Sequence, residues 1–135
     1  MRQIAAIFVG AALAMANATP AAPGQHTVSV TLNYDFTTDN ACSSSVTKNC
    51  VLQFNIYEMT AGAPLKLFSV PAPTGANSAV TGITGTSAAL NLKSGVHIFG
   101  ATAQMADGTE SNPNGSTATA TAAPGSPVSF SLTVQ

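Results

Sequence analysis

Apolar and polar residues alternate with a period of two along most of the chain. The alternation runs through "HTVSVTLNYDF" at 26–36, "CVLQFNIYEM" at 50–59, "SAALNLKS" at 87–94 and "PVSFSLTVQ" at 127–135. Strict alternation is typical of strands with one face buried and the other in water. The pattern assigns these side chains to the buried faces: Val28, Val30, Leu32, Tyr34 and Phe36; Leu52, Phe54 and Ile56; Ala88, Leu90 and Leu92; Val128, Phe130, Leu132 and Val134.

Three further segments complete the predicted strands. "GVHIFGATA" at 95–103 is apolar on both faces, which favours a central strand with His97 on the same face as Phe99. "LKLFSV" at 65–70 is a shorter candidate, and the Thr-rich "STATATA" at 116–122 is placed at a sheet edge. The intervening stretches are rich in Gly, Pro, Asn and Ser, which favour turns. The sequence leaves open whether 116–122 or 127–134 is the final strand.

About seven or eight short strands within roughly 110 residues are the pattern of an antiparallel β-sandwich. No segment beyond the N-terminal leader sustains a helical period over ten residues. We therefore predict an all-β, immunoglobulin-like sandwich formed by residues 26–135 as a single domain.

The first eighteen residues have the organisation of a secretory signal peptide. Arg2 is followed by the apolar run "IAAIFVGAALAM", and Ala16-Asn17-Ala18 fits the small-x-small cleavage rule. Residues 19–25, "TPAAPGQ", are predicted to be a flexible leader. The expected location is secreted or at the cell surface, either extracellular or periplasmic.

Charge is sparse beyond the predicted cleavage site. Three lysines, at 48, 66 and 93, stand against five acidic residues, and no arginine remains. A nucleic-acid partner needs a basic footprint, and an anionic membrane attracts clusters of basic residues. The composition therefore argues against both kinds of partner.

Cys42 and Cys50 are the two cysteines of the chain. In an exported protein they are expected to form a disulfide. Loop-closure entropy gives about 2.6 kcal/mol for a loop of this length. A metal or redox pair would need CxxC spacing or nearby histidines, which the sequence does not offer.

Several short phrases resemble secreted bacterial domains of the fibronectin type III family. They are "VSVTLNYD" at 28–35, "FNIYEMTAG" at 54–62 and "SGVHIFGATAQMADGTES" at 94–111. The chain departs from the family pattern at Tyr34, where Trp is usual, and in a Cys-bounded insertion that separates the second and third strands of the pattern. The resemblance implies a non-catalytic spacer, adhesion or accessory module.

The sequence offers no catalytic set, and no cofactor is expected. A catalytic His97 would need a nucleophile and an orienting acid, and no motif such as G-x-S-x-G supplies one. His97 is instead predicted to be a buried or rim residue with one hydrogen-bond partner. His26, close to the predicted mature N-terminus, is expected to be solvated.

The acidic residues raise the alternative of calcium binding. Asp35 and Asp39 are the better candidate pair, and Asp107 with Glu110 is the second. The competing interpretation assigns these acids to Asx-type turns and solvated loops, so no metal site is expected. Asn114-Gly115-Ser116 is a glycosylation sequon only in a eukaryotic source, and Asn-Gly is predicted to form a hairpin turn.

Loops on a rigid scaffold are the usual contact surfaces. The loops at 37–50 and 105–115 are therefore predicted to carry contacts, with Tyr57, Asp107 and Glu110 as candidate ligand-contact residues. The leading hypothesis is a non-enzymatic module for extracellular adhesion or interaction with a protein or glycan. One alternative is a subunit of a surface fibre or pilus-like assembly that self-associates through its strands. Another is a carbohydrate-binding accessory module that uses Tyr57.

Overall fold

The computed structural model describes residues 24–135, where nine strands and one short 3-10 helix form. The predicted signal peptide, 1–18, and residues 19–23 of the leader lie outside the described residues. The strands are β1 Gln25–His26, β2 Val28–Asp35, β3 Val51–Glu58, β4 Leu65–Pro71, β5 Ala79–Thr86, β6 Leu90–Asn91, β7 Gly95–Met105, β8 Thr117–Ala122 and β9 Val128–Thr133, with the 3-10 helix at Pro113–Gly115.

Seven of these strands form two packed sheets. One sheet has the order β4-β3-β7-β8 and the other β5-β2-β9, while the short β1 and β6 pair with each other. Phe36, Phe54 and Phe99 are fully buried between the sheets, because the alternation turns one face of each strand inward. The prediction of an all-β sandwich is confirmed. Within residues 24–135, no helix is long and apolar enough to cross a membrane.

The C-terminal strand β9 completes the smaller sheet by pairing parallel to β2. The pattern predicted antiparallel pairing throughout, and this pair is the exception. Residues 123–127 carry the chain from the edge of one sheet to the other, so β9 enters beside β2 in the same direction. The two candidates for a final strand are therefore both used, β8 in the larger sheet and β9 in the smaller.

Strand β5 was not predicted from the sequence. Its two glycines weaken the strand signal, since glycine is depleted in strands. At Gly85 an added Cβ would clash with the Val70 side chain, so glycine allows β5 to approach β4 closely. The strand predicted at 87–94 shrinks to the two residues of β6, although Leu92 is buried as expected.

An irregularity in β3 changes the orientation of one predicted core residue. The register with β7 shifts between Val51 and Gln53, which places Val51 in the core and leaves Leu52 47% exposed. The prediction was wrong for Leu52 because a bulge breaks the alternation. It was right for Phe54 and Ile56, which are fully buried.

The predicted hairpin turn at Asn114-Gly115 is a 3-10 turn instead. The Asn112 side chain accepts a hydrogen bond from Asn114 N at 2.9 Å and caps this turn. The chain reverses earlier, at Asp107-Gly108, where Met105 N donates to Thr109 O at 2.8 Å. Gly108 adopts a φ of 94°, which glycine reaches without a Cβ penalty.

Candidate functional site

The two loops predicted to carry contacts meet at one end of the sandwich. Ala106, directly after β7, donates its N–H to Cys50 O at 2.9 Å. This contact brings the turn after β7 against the disulfide loop and leaves a groove of about 290 Å³ between them. We call this feature the loop groove, and its lining residues are Thr47, Lys48, Asn49, Ala106 and Asp107. The loop groove thus brings two exposed charged side chains, Lys48 and Asp107, to one surface.

The disulfide loop is held to the sheet at its base. Cys42 and Cys50 are bonded, as predicted, and Cys42 N donates to Val51 O at 2.9 Å. Within the loop, Val46 N donates to Ser43 Oγ at 3.1 Å. Asn49 has a φ of 53°, a left-handed conformation that asparagine tolerates better than most residues. The side chains of the loop are thus presented on a constrained backbone.

Two of the predicted calcium candidates are engaged in turns. Asp35 Oδ1 accepts from Thr37 N at 3.0 Å and from Thr37 Oγ1 at 2.7 Å. Asp107 makes the same pair of bonds, at 3.0 and 2.7 Å, with Thr109. These hydrogen bonds to the threonines lower the pKa of both carboxyl groups. The acid-x-Thr spacing forms an Asx-type turn in each case.

Asp39 lies in the loop after β2. Burial raises the pKa of Tyr34, and the charges of Asp39 and Asp35 add to that rise. Among residues 24–135, no group of three or more His, Cys, Asp or Glu side chains is placed to hold a metal ion.

Glu110 joins a polar network on the outer face of the larger sheet. Its Oε1 accepts from Asn55 Nδ2 at 2.9 Å, Tyr57 OH at 2.7 Å and Thr102 Oγ1 at 2.5 Å. Asn55 and Thr102 are almost fully buried although they lie on the outer face. Glu110 reaches them because residue 110 pairs with Gln104 when the chain turns back along β7. The carboxylate therefore satisfies buried polar groups of the sheet.

This network changes the acidity of two of the candidate contact residues. The hydrogen bond from Thr102 is the largest of several effects that lower the pKa of Glu110. Burial and the hydrogen bond to Glu110 raise the pKa of Tyr57 to about 12. The half-buried Tyr57 thus has its hydroxyl committed to Glu110. The structure brings Tyr57 and Glu110 together and places Asp107 apart from them in the loop groove.

His97 forms an ion pair at the opposite end of β7. Its Nδ1 lies 2.6 Å from Glu58 Oε2, and its Nε2 lies 2.7 Å from Lys93 O. Two acceptors favour the imidazolium, in which both nitrogens donate. Burial lowers the pKa of His97, but the hydrogen bonds to Glu58 and Lys93 raise it by a larger amount. The net result is a raised pKa. The sequence predicted one partner, and the structure provides two.

Glu58, the last residue of β3, is in turn held by Thr60. The Thr60 hydroxyl donates to Glu58 Oε2, and Thr60 N donates to Oε1 at 3.0 Å. Burial raises the pKa of Glu58, but the hydrogen bonds from His97 and Thr60 lower it overall. Because both ring nitrogens of His97 already have partners, this arrangement suits a structural ion pair rather than proton transfer to a substrate.

His26 is the residue whose environment the sequence misjudged most. It is fully buried, and its Nδ1 lies 2.8 Å from Ser126 O, whereas a solvated side chain was expected. Pairing of β1 with β6 draws this part of the chain onto the sandwich. The alternation of 26–36 could have shown this, since His26 shares the inward parity of Val28 and Val30.

Comparisons with protein families, curated proteins and solved structures find no match to this chain.

Proposed function

We propose that this chain is an exported, non-enzymatic β-sandwich module that acts in adhesion or interaction with an extracellular protein or glycan. We further propose that it is a fibronectin type III-like member of the immunoglobulin-like sandwiches. Seven long strands divided four and three between two sheets support that assignment. The disulfide supports an oxidising compartment.

The single observation that carries the proposed function is the loop groove. Two loops far apart in sequence meet there, and each contributes one charged side chain, Lys48 and Asp107. Ion pairing and hydrogen bonding to a polar macromolecule need donors and acceptors presented side by side. The groove provides both, on a scaffold whose loops are fixed by a disulfide and an Asx-type turn.

A residue with left-handed backbone conformation in the disulfide loop adds to this support. Asn49 lines the groove and holds a positive φ. Such conformations persist when the surrounding structure imposes them, and they cluster at functional sites. The next residue, Cys50, is held by the disulfide and by the hydrogen bond from Ala106 N.

An array of extracellular glycans and proteins tests the proposal. The oxidised chain is compared with the groove variant Lys48→Ala/Asp107→Asn. The control is Lys93→Ala/Asp35→Asn, which makes the same chemical changes at two residues outside the groove lining. Asp35 matches Asp107 because each carboxylate accepts from a threonine two residues later. We expect binding to be lost in the groove variant and kept in the control. Equal binding by both variants, or turnover of an arrayed ligand, would contradict the proposal.

A second candidate function, a subunit of a surface fibre, is favoured by the two strand edges on one side of the sandwich. β8 and β9 end the two sheets, and residues 111–135 contain no charged side chain. A fibre needs two different surfaces that join head to tail. Filaments in electron micrographs of the concentrated protein would support this candidate, and particles of one small, fixed size would exclude it.

A further inference from the structure

The open edge of β8 presents unpaired backbone groups. On its other side β8 pairs antiparallel with β7, with Thr119 opposite Ile98. Ile98 directs its own N–H and C=O toward residues 59 and 60, since its N–H donates to Thr60 Oγ1 and its C=O accepts from Met59 N. In an antiparallel pair of strands, the residue opposite such a position also directs its backbone N–H and C=O away from the partner strand. The backbone groups of Thr117, Thr119 and Thr121 therefore face the open edge.

This edge lacks the features that normally prevent edge-to-edge pairing. Charged side chains, prolines and bulges are the usual protection. The opposite edge of the same sheet, β4, carries Lys66 and Pro71 and has a register shift against β3. The six residues of β8, "TATATA", contain no charge and no proline, and their pairing with β7 is regular.

The side chains of β8 are compatible with a second strand alongside. The three threonines are exposed, while Ala118 and Ala120 face inward and are half-buried. The neighbouring strand adds Val96 and Ile98, which are 61% and 41% exposed, opposite Thr121 and Thr119. Small inward residues offer no steric obstacle, and the β-branched outer face suits cross-strand packing.

We propose that β8 pairs antiparallel with β8 of a second copy of this chain, about a two-fold axis at Thr119. In this register Thr119 lies opposite the same residue of the second copy, and Thr117 lies opposite Thr121. The outward-facing residues of the two edges then form hydrogen-bonded pairs, each exchanging two N–H···O bonds. The two four-stranded sheets join into one continuous sheet across the dimer.

The palindromic pattern of β8 is what selects a second copy as the occupant. Thr-Ala-Thr-Ala-Thr reads the same in both directions from Thr119, so an antiparallel copy matches threonine with threonine and alanine with alanine. Threonine pairs across antiparallel strands are favourable. The charge-free stretch 111–135 brings no like charges together at this edge.

This inference is independent of the adhesion function proposed from the loop groove, whereas the fibre candidate uses the same β8 edge. The loop groove and the β8 edge use different residues, so either idea can fail without the other. The two-fold pairing is also closed, since it uses the same edge of both copies. It therefore yields a dimer and differs from the head-to-tail contacts of a fibre.

Sedimentation velocity on the oxidised chain over a range of concentrations tests the proposal. We expect a monomer–dimer equilibrium. Thr119→Lys places two lysines directly opposite each other at the axis, and like charges there destabilise the pairing. Thr119→Glu should act in the same way. An equimolar mixture of the two variants should form a heterodimer, because lysine then faces glutamate.

Thr119→Pro tests the backbone contribution. The N–H of Thr119 points to the open edge in the wild type. Proline, which has no N–H, is therefore tolerated there in the monomer but removes hydrogen bonds of the dimer. We expect the dimer dissociation constant to rise at least about tenfold. The control, Thr84→Lys, makes an exposed lysine on β5 and should leave the dimer intact. A monomeric wild-type chain at millimolar concentration, or dimers that survive Thr119→Lys and Thr119→Pro, would overturn the proposal.

Discussion

At the scale of single residues, four of the five acidic side chains in residues 24–135 close turns or satisfy the sheet. Asp35, Asp107 and Glu58 each accept from a threonine two positions later. Glu110 supplies an acceptor to polar groups that the sheet buries. Because charged residues are so few, each of these bonds supports one local feature. Single substitutions at these residues should therefore produce measurable changes in stability.

The ion pair between His97 and Glu58 predicts a pH dependence of stability. The raised pKa of His97 means that its contribution is complete below its ordinary value of 6.5 and is lost as pH rises through the folded-state value. The lowered pKa of Glu58 means that its contribution is present above 4.5 and is lost as pH falls through the folded-state value. The pair should therefore stabilise the fold most between these two ordinary values.

We predict that His97→Gln destabilises the protein more at about pH 5.5 than at about pH 8.5, because wild-type His97 gradually loses its charge over that range. Urea denaturation at the two pH values measures the difference. Glu58→Gln should show the same dependence, since it removes the other half of the pair. An equal loss at both pH values would contradict the assignment of a charged pair.

We predict that Glu110→Ala lowers the free energy of unfolding by about 1–3 kcal/mol, because the buried hydroxyl of Thr102 loses its acceptor. Glu110→Gln should cost less, since its amide oxygen can still accept. Denaturant titration of the two variants gives the comparison. If Glu110→Ala left the free energy of unfolding unchanged, water would be shown to replace the carboxylate as the acceptor without loss of stability.

At the scale of elements, the two C-terminal strands have different tasks. β8 extends the larger sheet, and β9 closes the smaller sheet beside β2. The inward side chains of β9 are all buried, and Phe130 stacks on Phe99 with ring centroids 4.6 Å apart. β9 therefore links the two sheets through the core as well as through its hydrogen bonds.

We predict that Phe130→Ala costs about 3–5 kcal/mol of stability, as expected for a buried aromatic residue. Ser131→Ala, on the exposed face of the same strand, should change stability by less than about 0.5 kcal/mol. Thermal or urea unfolding of both variants tests the contrast. Similar losses in the two variants would contradict the placement of β9 on the core.

Alternation predicted the strands well where one face is buried and the ladder is regular. It failed at Leu52 because a bulge rotates the strand, and it missed β5 because Gly85 marks a close approach between sheets rather than a side-chain pattern. The parallel pairing of β9 depends on how the chain crosses between sheets, which residue periodicity does not encode. The loop groove was half predicted, since both loops were named but their meeting is a long-range contact.

At the scale of the whole molecule, the sandwich holds both loops of the groove at one end. The disulfide closes the first loop at its base, and the hydrogen bond from Ala106 attaches the second. The disulfide loop leads into β3 and the second loop leaves β7, and these two strands are neighbours in the larger sheet. The groove is therefore positioned by the sheet itself. This geometry supports binding through a fixed surface.

We predict that Cys42→Ala/Cys50→Ala lowers the free energy of unfolding by about 2–3 kcal/mol, the amount expected from loop-closure entropy. The variant should still fold, because the core residues do not depend on the bond. Denaturation of the oxidised wild type and the variant measures the change. A larger loss, with unfolding of the whole domain, would show that the fully buried Cys50 stabilises the fold through its packing as well as through the covalent bond.

The most direct test of the proposed function is the binding of labelled, oxidised protein to the surface of the cells that produce it. We predict saturable binding by the wild type. Binding by Lys48→Ala/Asp107→Asn should be at least about tenfold weaker, since charged contacts to the ligand contribute on the order of 1.4 kcal/mol or more. Lys93→Ala/Asp35→Asn should bind like the wild type. Absence of saturable binding, or equal binding by the groove variant, would contradict the assignment of this surface as the site of contact.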